Sequence, residues 1–259
     1  RDPLWSRGLG DVYKRQQKYF FFPGFQADTG GLLREAGLLE QRRDFQGRPQ
    51  ARLDFLKSLG VSPVAGSRLI SLFAYENAGV ASWLQALADD GQPTHLLVPE
   101  GRVLADVQRW LGEEPLAPGC PQVRQSLTVQ VLPFVRQEDY DRLLWCCDFN
   151  AVRGEDSFVR AQWAGRPMLW HIYRQDEDIH LDKLEAFLGL YTRTLSPGAK
   201  AAVLALWQAW NSEASMAEPW KNLLQYWPEV AAHAEQWCLE QGSQPDLAAA
   251  LVQFYLNWI

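Results

Sequence analysis

Residues Arg153, Gly154, Glu155, Asp156 and Ser157 place a cation, a glycine, two carboxylates and a hydroxyl side by side. The run before them, Leu143-Leu-Trp-Cys-Cys, is short, apolar and β-prone. The stretch after them, Ser157 to Ala164, has helical spacing and stops at Gly165. The five residues are therefore expected between the carboxyl end of a strand and the start of a helix. Ligands of open α/β sheets bind in that crevice, and helix N–H groups attract phosphate there, which points to a nucleotide-type ligand. Arg153, with those N–H groups, could stabilise a leaving diphosphate without a metal. A carboxylate beside phosphate is repulsive, so Glu155 is expected to hold sugar or ribose hydroxyls and Ser157 to touch phosphate. The competing reading pairs Arg153 with Glu155 or Asp156 at the surface and leaves both carboxylates as complements of a helix dipole.

Aromatic residues near other strand ends extend the possibility. Phe134 lies just past an apolar run and could stack on a base, with Gln137 bonded to the base edge. The alternative is an ordinary core phenylalanine. Phe73 and Tyr75 enter a Glu76-Asn-Ala-Gly turn and could close a pocket, or could simply be alternate residues on one sheet face. Gln175 and Asp176 follow a further strand and could reach a sugar, whereas Asp178 suits a helix cap. Asp176, Asp178 and His180 have no recognised metal-ligand spacing, so no metal is expected. His95, His171 and His233 have no evident partners.

The elements that must position these groups follow from the pattern after Ser67. Leu69–Tyr75 precedes a helical stretch from Gly79 to Ala88, and Thr94–Pro99 precedes one from Arg102 to Leu111. Thr128–Leu132 leads through Pro133 into helical spacing around Glu138 to Arg142, and strands are expected at Leu143–Phe149 and Pro167–Tyr173. Strands alternating with helices argue for βαβ units and a Rossmann-like parallel sheet. Beyond Asp178 the pattern is helical to the end. Boundaries fall at Ser196-Pro197, Glu218-Pro219, Trp227-Pro228 and Pro245-Asp246, where a proline or a capping side chain suits a helix start. Upstream, Tyr19–Phe25 reads as a strand ending in a loop and Arg48–Leu59 as a helix. The last segment, Leu247–Ile259, is apolar over much of its surface and should pack against something.

The chain has 259 residues, is 47% hydrophobic and carries a net charge of −6. That suffices for one or two domains with cores and argues against a broad nucleic-acid footprint. No stretch approaches the ~18 apolar residues of a membrane span. Cys120, Cys146, Cys147 and Cys238 lack CxxC spacing and are expected as buried free thiols in a reducing, cytoplasmic setting. Cys146 and Cys147, as strand neighbours, would point to opposite faces. Most of the twelve tryptophans should be core. Residues 1–16 have no clean periodicity and resemble translated sequencing-adapter read-through, so they are expected to be non-native. Without them the basic count falls from 25 to 21 and the acidic from 31 to 29, giving −8. Residues 17–60 are expected to be the remnant of an N-terminal Rossmann-like acceptor domain and linker, and 61–259 a nucleotide-sugar-binding domain with terminal helices.

The segment from Cys147 to Leu169 resembles the nucleotide-sugar half of GT-B glycosyltransferases. In those an Asp closes a strand, a Gly-containing loop carries a Ser into a helix, and Gly-x-Pro opens the next strand. Three more pieces sharpen the match: Phe20-Phe-Phe-Pro-Gly-Phe-Gln-Ala-Asp-Thr-Gly-Gly-Leu, Ser71-Leu-Phe-Ala-Tyr-Glu-Asn and Trp170-His-Ile-Tyr-Arg-Gln-Asp-Glu-Asp-Ile-His. Together, from about Lys18 to the C-terminus, they resemble the protein-arginine rhamnosyltransferases that modify elongation factor P. The resemblance implies a dTDP-β-L-rhamnose donor, inversion at the anomeric carbon and an arginine of elongation factor P as acceptor. It implies a donor site lined by Phe73, Tyr75, Phe134, Gln137, Arg153, Glu155, Asp156 and Ser157, with Glu155 the candidate catalytic residue. It also implies aspartates that assist the acceptor, in a Gly-rich loop near the start of the N-terminal domain, which this chain is expected to lack. A guanidinium is protonated at neutral pH, so carboxylates would have to orient it and relieve it of a proton. Two other functions stay open: a GT-B enzyme with a different sugar or acceptor, and a non-catalytic α/β module whose Arg153–Ser157 loop only caps a helix.

Overall fold

The computed structural model describes residues 19–112, 116–175 and 179–257. They fall into two compact units, one of residues up to 34 together with 244 onward, the other Glu35–Ser243. The larger unit opens with helices α1 (Leu38–Gln46) and α2 (Pro49–Ser58). Next come β1 (Arg68–Leu72), α3 (Val80–Asp89), β2 (Thr94–Pro99) and α4 (Leu104–Leu111). The hairpin β3 (Gln122–Arg124) and β4 (Leu127–Leu132) leads into α5 (Gln137–Cys146), β5 (Phe149–Arg153), α6 (Asp156–Gln162) and β6 (Met168–His171). Four helices finish the unit: α7 (Ile179–Tyr191), α8 (Pro197–Asn211), α9 (Ala217–Gln225) and α10 (Trp227–Gly242).

The six strands form one sheet in the order β3-β4-β2-β1-β5-β6, parallel except for the β3 edge. Strand order reverses between β1 and β5, so the carboxyl ends of these two strands flank the topological switch point. The buried patterns of β1, β2 and β4 are near-continuous, as expected where helices cover both faces of a parallel sheet. On one face Leu69, Leu97 and Leu132 meet Phe55 and Leu56 of α2 and Leu143 of α5. Elsewhere Trp83 packs edge-on against Phe149, Trp210 and Trp220. Eight of the twelve tryptophans are buried, as expected for core residues.

The α/β architecture, the parallel sheet and the terminal helices match the sequence pattern, but one strand moves. Leu143–Cys146 is the last turn of α5, and the strand is Phe149–Arg153. A short apolar run reads alike as a buried strand or a buried helix end. The true strand was hidden by Asn150, which is fully buried and donates its side-chain amide to the Leu144 carbonyl at 3.1 Å. Cys146 therefore ends a helix and Cys147 caps it. Both are buried, as is Cys238, whereas Cys120 is exposed, and none of the four forms a disulfide among the described residues. Asp148 does not close a strand. It precedes β5, where its carboxylate accepts the Leu69 N–H at 2.8 Å and so ties the switch-point strands together. Ser196 caps α8 by accepting from the Ala199 N–H, with Pro197 following it.

Among the described residues the smaller unit holds one helix, α11 (Leu247–Leu256), capped by Asp246. Tyr19–Phe25 forms no strand; it is a loop whose Phe22 carbonyl accepts the Gly30 N–H at 2.8 Å. Phe21 packs on Phe254 with ring centroids 5.2 Å apart, and the Leu247 N–H donates to the Leu32 carbonyl. No residue of α11 is buried among the described residues.

Candidate functional site

A cleft opens at the carboxyl ends of the strands beside the switch point. Its cavity, about 250 Å³, is lined by Phe73, Phe134, Gln137, Asp156 and Ser157. Pro99, Glu100, Val135 and Tyr140 complete the wall. Five of the eight residues expected to line a donor site thus share one cavity. They arrive from four separate places: the end of β1, the loop after β4, the first turn of α5 and the start of α6.

The remaining three stand at the rim of the switch point. Arg153 ends β5, and its guanidinium lies 4.5 Å from the Phe73 ring centre and 4.9 Å from that of Tyr75. Among the described residues no carboxylate comes within ion-pair distance of it. The expected alternative, a pair with Glu155 or Asp156, is not formed. The guanidinium is held instead by two aromatic faces, a contact worth roughly 0.5–2 kcal/mol depending on desolvation. Glu155 is exposed at the N-cap of α6 and makes no side-chain cap bond. Tyr75 is partly buried and packs edge-on against His171 and Tyr173. Burial raises its pKa, the nearby Arg153 charge opposes that, and Glu155 adds to it.

The loop that carries these groups is fixed from below. Gly154 has φ +62°, and a Cβ there would meet the Tyr75 hydroxyl at 3.3 Å, so the turn beneath Tyr75 requires glycine. The Gly154 carbonyl accepts the indole N–H of Trp170 at 2.7 Å, and its N–H donates to the His171 carbonyl. His171 is buried, and no partner is present for its Nδ1 among the described residues. Burial, helped by the charges of Arg174 and Arg153, lowers its pKa to about 4. A neutral imidazole therefore backs the Tyr75 ring.

Phe134 is 84% exposed, which removes the core reading for this residue. Gln137 is the first residue of α5, and Tyr140 sits on the same helix face three residues on. Tyr140 was missed because the helix is expected from Glu138; starting it one residue earlier puts both side chains in the cleft. Gln175 accepts from Lys183 at 2.8 Å and is not brought into the cavity. Asp176 and Asp178 lie outside the described residues. Among the described residues no group of three His, Cys, Asp or Glu is arranged to hold a metal, and no helix is long and apolar enough to cross a membrane. Two histidines without evident partners in the sequence do have them: His95 lies 3.0 Å from Gln130 Oε1 and His233 3.3 Å from Thr194 Oγ1.

A parallel sheet that reverses its order at a cleft built from strand-end aromatics and a cation defines a Rossmann-like α/β domain. Residues 10–256 match the family described as Elongation-Factor P (EF-P) rhamnosyltransferase EarP, and the chain belongs to that family. It is 61% identical over 241 residues to the protein-arginine rhamnosyltransferase of Pseudomonas putida and 60% identical over 242 residues to that of Pseudomonas aeruginosa. Each alignment covers 93% of this chain and 64% of the relative, so the chain spans less than two thirds of their length. It also superposes on a solved structure described as "Structural basis for EarP-mediated arginine glycosylation of translation elongation factor EF-P". That match has a TM-score of 0.87 at 57% identity and covers 93% of this chain and 77% of the other.

Proposed function

We propose that this chain carries the donor-binding part of an inverting glycosyltransferase that moves L-rhamnose from dTDP-β-L-rhamnose to an arginine side chain of elongation factor P. The observation that carries the reading is the convergence of Phe73, Phe134, Gln137, Asp156 and Ser157 on one cavity, beside a guanidinium with no carboxylate partner among the described residues. Phe134 offers a flat apolar face for thymine and Gln137 both a donor and an acceptor for its edge. Arg153 would meet the diphosphate, whose negative charge supplies the partner this guanidinium lacks. Ser157 would donate to a phosphate oxygen. Asp156 and Glu155 would accept hydroxyls of the ribose or rhamnose, Glu155 closest to the reacting carbon. No metal is assigned, because Arg153 compensates the charge that develops on the leaving dTDP.

The acceptor guanidinium must be oriented and deprotonated by carboxylates. We assign that step to the part of the relatives' length that this chain does not match, and expect donor binding here without transfer. A tryptophan-fluorescence titration with dTDP-rhamnose, against UDP-glucose as control, tests the first statement. Saturable quenching by the thymidine sugar alone supports it, and equal response to both removes the rhamnose assignment. Rhamnosylation of elongation factor P by this chain alone would overturn the second statement. A reaction of this kind takes place where translation factors work, which assigns the protein to the cytoplasm.

A further inference from the structure

Trp170 touches both ends of the turn that carries Glu155, Asp156 and Ser157, without being one of the residues that line the cavity. Its indole N–H donates to the Gly154 carbonyl at 2.7 Å, just before the turn. Its ring stacks on Phe158, just after it, with centroids 4.0 Å apart and planes 9° from parallel. Both rings are buried. The Trp170 backbone is paired with Val152 of β5, so the indole forms a bracket anchored in the sheet and set across the start of α6.

The Gly154 carbonyl and the Glu155 N–H share one planar peptide and point in opposite directions. Pinning that carbonyl therefore fixes the direction in which the chain leaves Gly154. Glycine is the residue least able to hold this direction by itself, because the freedom that permits φ +62° also lets the peptide swing. Gly154 lies against the Tyr75 hydroxyl, and the Tyr75 ring carries the Arg153 guanidinium at 4.9 Å. A swing at Gly154 would thus disturb Arg153 on one side and Ser157 on the other. We propose that Trp170 is a positioning residue for the diphosphate: it touches no ligand, but holds the Gly154–Phe158 turn so that Arg153 and Ser157 reach one diphosphate together. The proposal deepens the reading of the cleft as a nucleotide-sugar site and rests on it. A buried indole N–H finds an acceptor in most folds, and Trp237 shows the same bond in a place remote from the turn. Its N–H donates to Gln162 Oε1 at 2.7 Å, at the other end of α6.

The test uses the whole chain and calorimetric titration with two probes, dTDP and thymidine. Trp170→Phe keeps a ring for Phe158 and removes the N–H; Trp237→Phe removes the matching bond at the far end of the helix. Both should lower the melting temperature by a similar amount, roughly 3–8 °C. Only Trp170→Phe should change binding, with about a fivefold rise in the Kd for dTDP and less than about twofold for thymidine. Equal weakening of dTDP by both variants would mean general loosening of the fold. Equal weakening of both probes by Trp170→Phe would mean that the base end had moved, and no weakening would mean that the N–H serves the fold alone. Each of these overturns the proposal. Phe158→Leu releases the other end of the turn and should also weaken dTDP a few-fold while sparing thymidine; it carries the test if Trp170→Phe does not fold, and indifference of dTDP to it overturns the proposal. In a chain already carrying Arg153→Ala and Ser157→Ala, Trp170→Phe should cost less than about twofold, because its effect runs through those side chains. A full fivefold loss there would show that it acts by another route. Failure of the unaltered chain to bind dTDP would remove the nucleotide reading of the cleft and this assignment with it. Normal dTDP binding with an indifferent Trp170→Phe would remove the assignment alone.

Discussion

Arg153 and Arg160 stand on the same strand-to-helix connection, and the structure treats their charges in opposite ways. Arg160 is 4% exposed. Its Nε donates to Asp141 at 2.7 Å, its Nη1 to Glu35 at 2.6 Å, and its Nη2 to the second Asp141 oxygen. Burial works against the charge, but those bonds more than offset it and the pKa lies above the ordinary value. Arg153, by contrast, has aromatic faces and no carboxylate among the described residues. One arginine is satisfied within the fold. The other carries charge that no carboxylate among the described residues pairs with, and it is the one at the switch point. Function is therefore better sought where a charge is held in place but left uncompensated than where it is most buried.

The largest expected effect tests the closed side of this contrast. Arg160→Ala strands Asp141, itself only 7% exposed, without its partner, and breaking such a pair from one side typically costs about 3–5 kcal/mol. Arg153→Ala gives up only the stacking on Phe73 and Tyr75 and strands no buried charge, so it should lower unfolding free energy by no more than about 2 kcal/mol. Urea denaturation of both variants measures the difference. Comparable losses would erase the distinction between a structural and a ligand-directed arginine.

A smaller effect comes from what Arg153 does to its neighbour. His171 has a folded pKa of about 4, depressed from its unfolded value near 6.5. The unfolded chain then binds the proton more readily, so stability is complete above about pH 6.5 and declines as pH falls towards 4. The decline from this group should be on the order of 2–3 kcal/mol. Asp141, whose pKa burial raises, works in the opposite sense at the acid end and makes the net slope shallower. His171→Asn should flatten the pH dependence of the denaturation midpoint between pH 6.5 and 4. Arg153→Ala should reduce the decline and end it at a higher pH, because with one of the depressing charges gone the folded pKa of His171 moves back towards its unfolded value. An unchanged slope in both variants would mean that the imidazole titrates freely.

The open side is tested by binding. Arg153→Ala should weaken dTDP by about 2 kcal/mol, the scale of a charge-assisted hydrogen bond, or roughly thirtyfold. Arg153→Lys should recover only part of this, since an ammonium neither stacks on Phe73 and Tyr75 nor presents a planar fork. Full recovery by lysine would show that the aromatic seat of the guanidinium is incidental.

The connection itself was largely legible in the sequence, and the partners of its two arginines were not. Gly154 and Gly165 are punctuation that any α/β pattern reveals, and both sit at φ +62°. That Arg153 ends a strand followed from local order alone. The strand was nonetheless misplaced, because Asn150 interrupts it while Leu143–Cys146, at the buried end of a helix, mimics it. Arg160 lies in the helical spacing after Ser157, where nothing local marks it as buried. Its buried state depends on Glu35 and Asp141, which fall far away or on a different helix, and no periodicity reports such a meeting. Tyr140 shows the intermediate case: its spacing from Gln137 was visible, but only a correct helix start turns that spacing into a shared face. Phe134 differed again. Composition favours a buried phenylalanine, and only the sheet topology reveals that this one stands in the open.

Phe134 gives the smallest and most discriminating prediction. A phenylalanine that is 84% exposed contributes almost nothing to the core, so Phe134→Ala should leave the melting temperature within about a degree or two, in line with surface substitutions generally. Its value would lie in the face it offers a base. Stacking of this kind is worth about 1–3 kcal/mol per base, and an open, one-sided platform belongs at the lower end, so dTDP should weaken by about fivefold. Thymidine should weaken by the same factor, since the phosphates are not involved. That pattern differs from the one expected for Arg153→Ala, where dTDP suffers and thymidine does not. Phe134→Leu separates the π face from mere apolar area, and it should bind nearer to the alanine variant than to the original chain. If dTDP and thymidine respond alike to both Arg153→Ala and Phe134→Ala, the cleft has no separate base and phosphate ends. The contrast between a seated charge and an open ring would then have no bearing on the ligand.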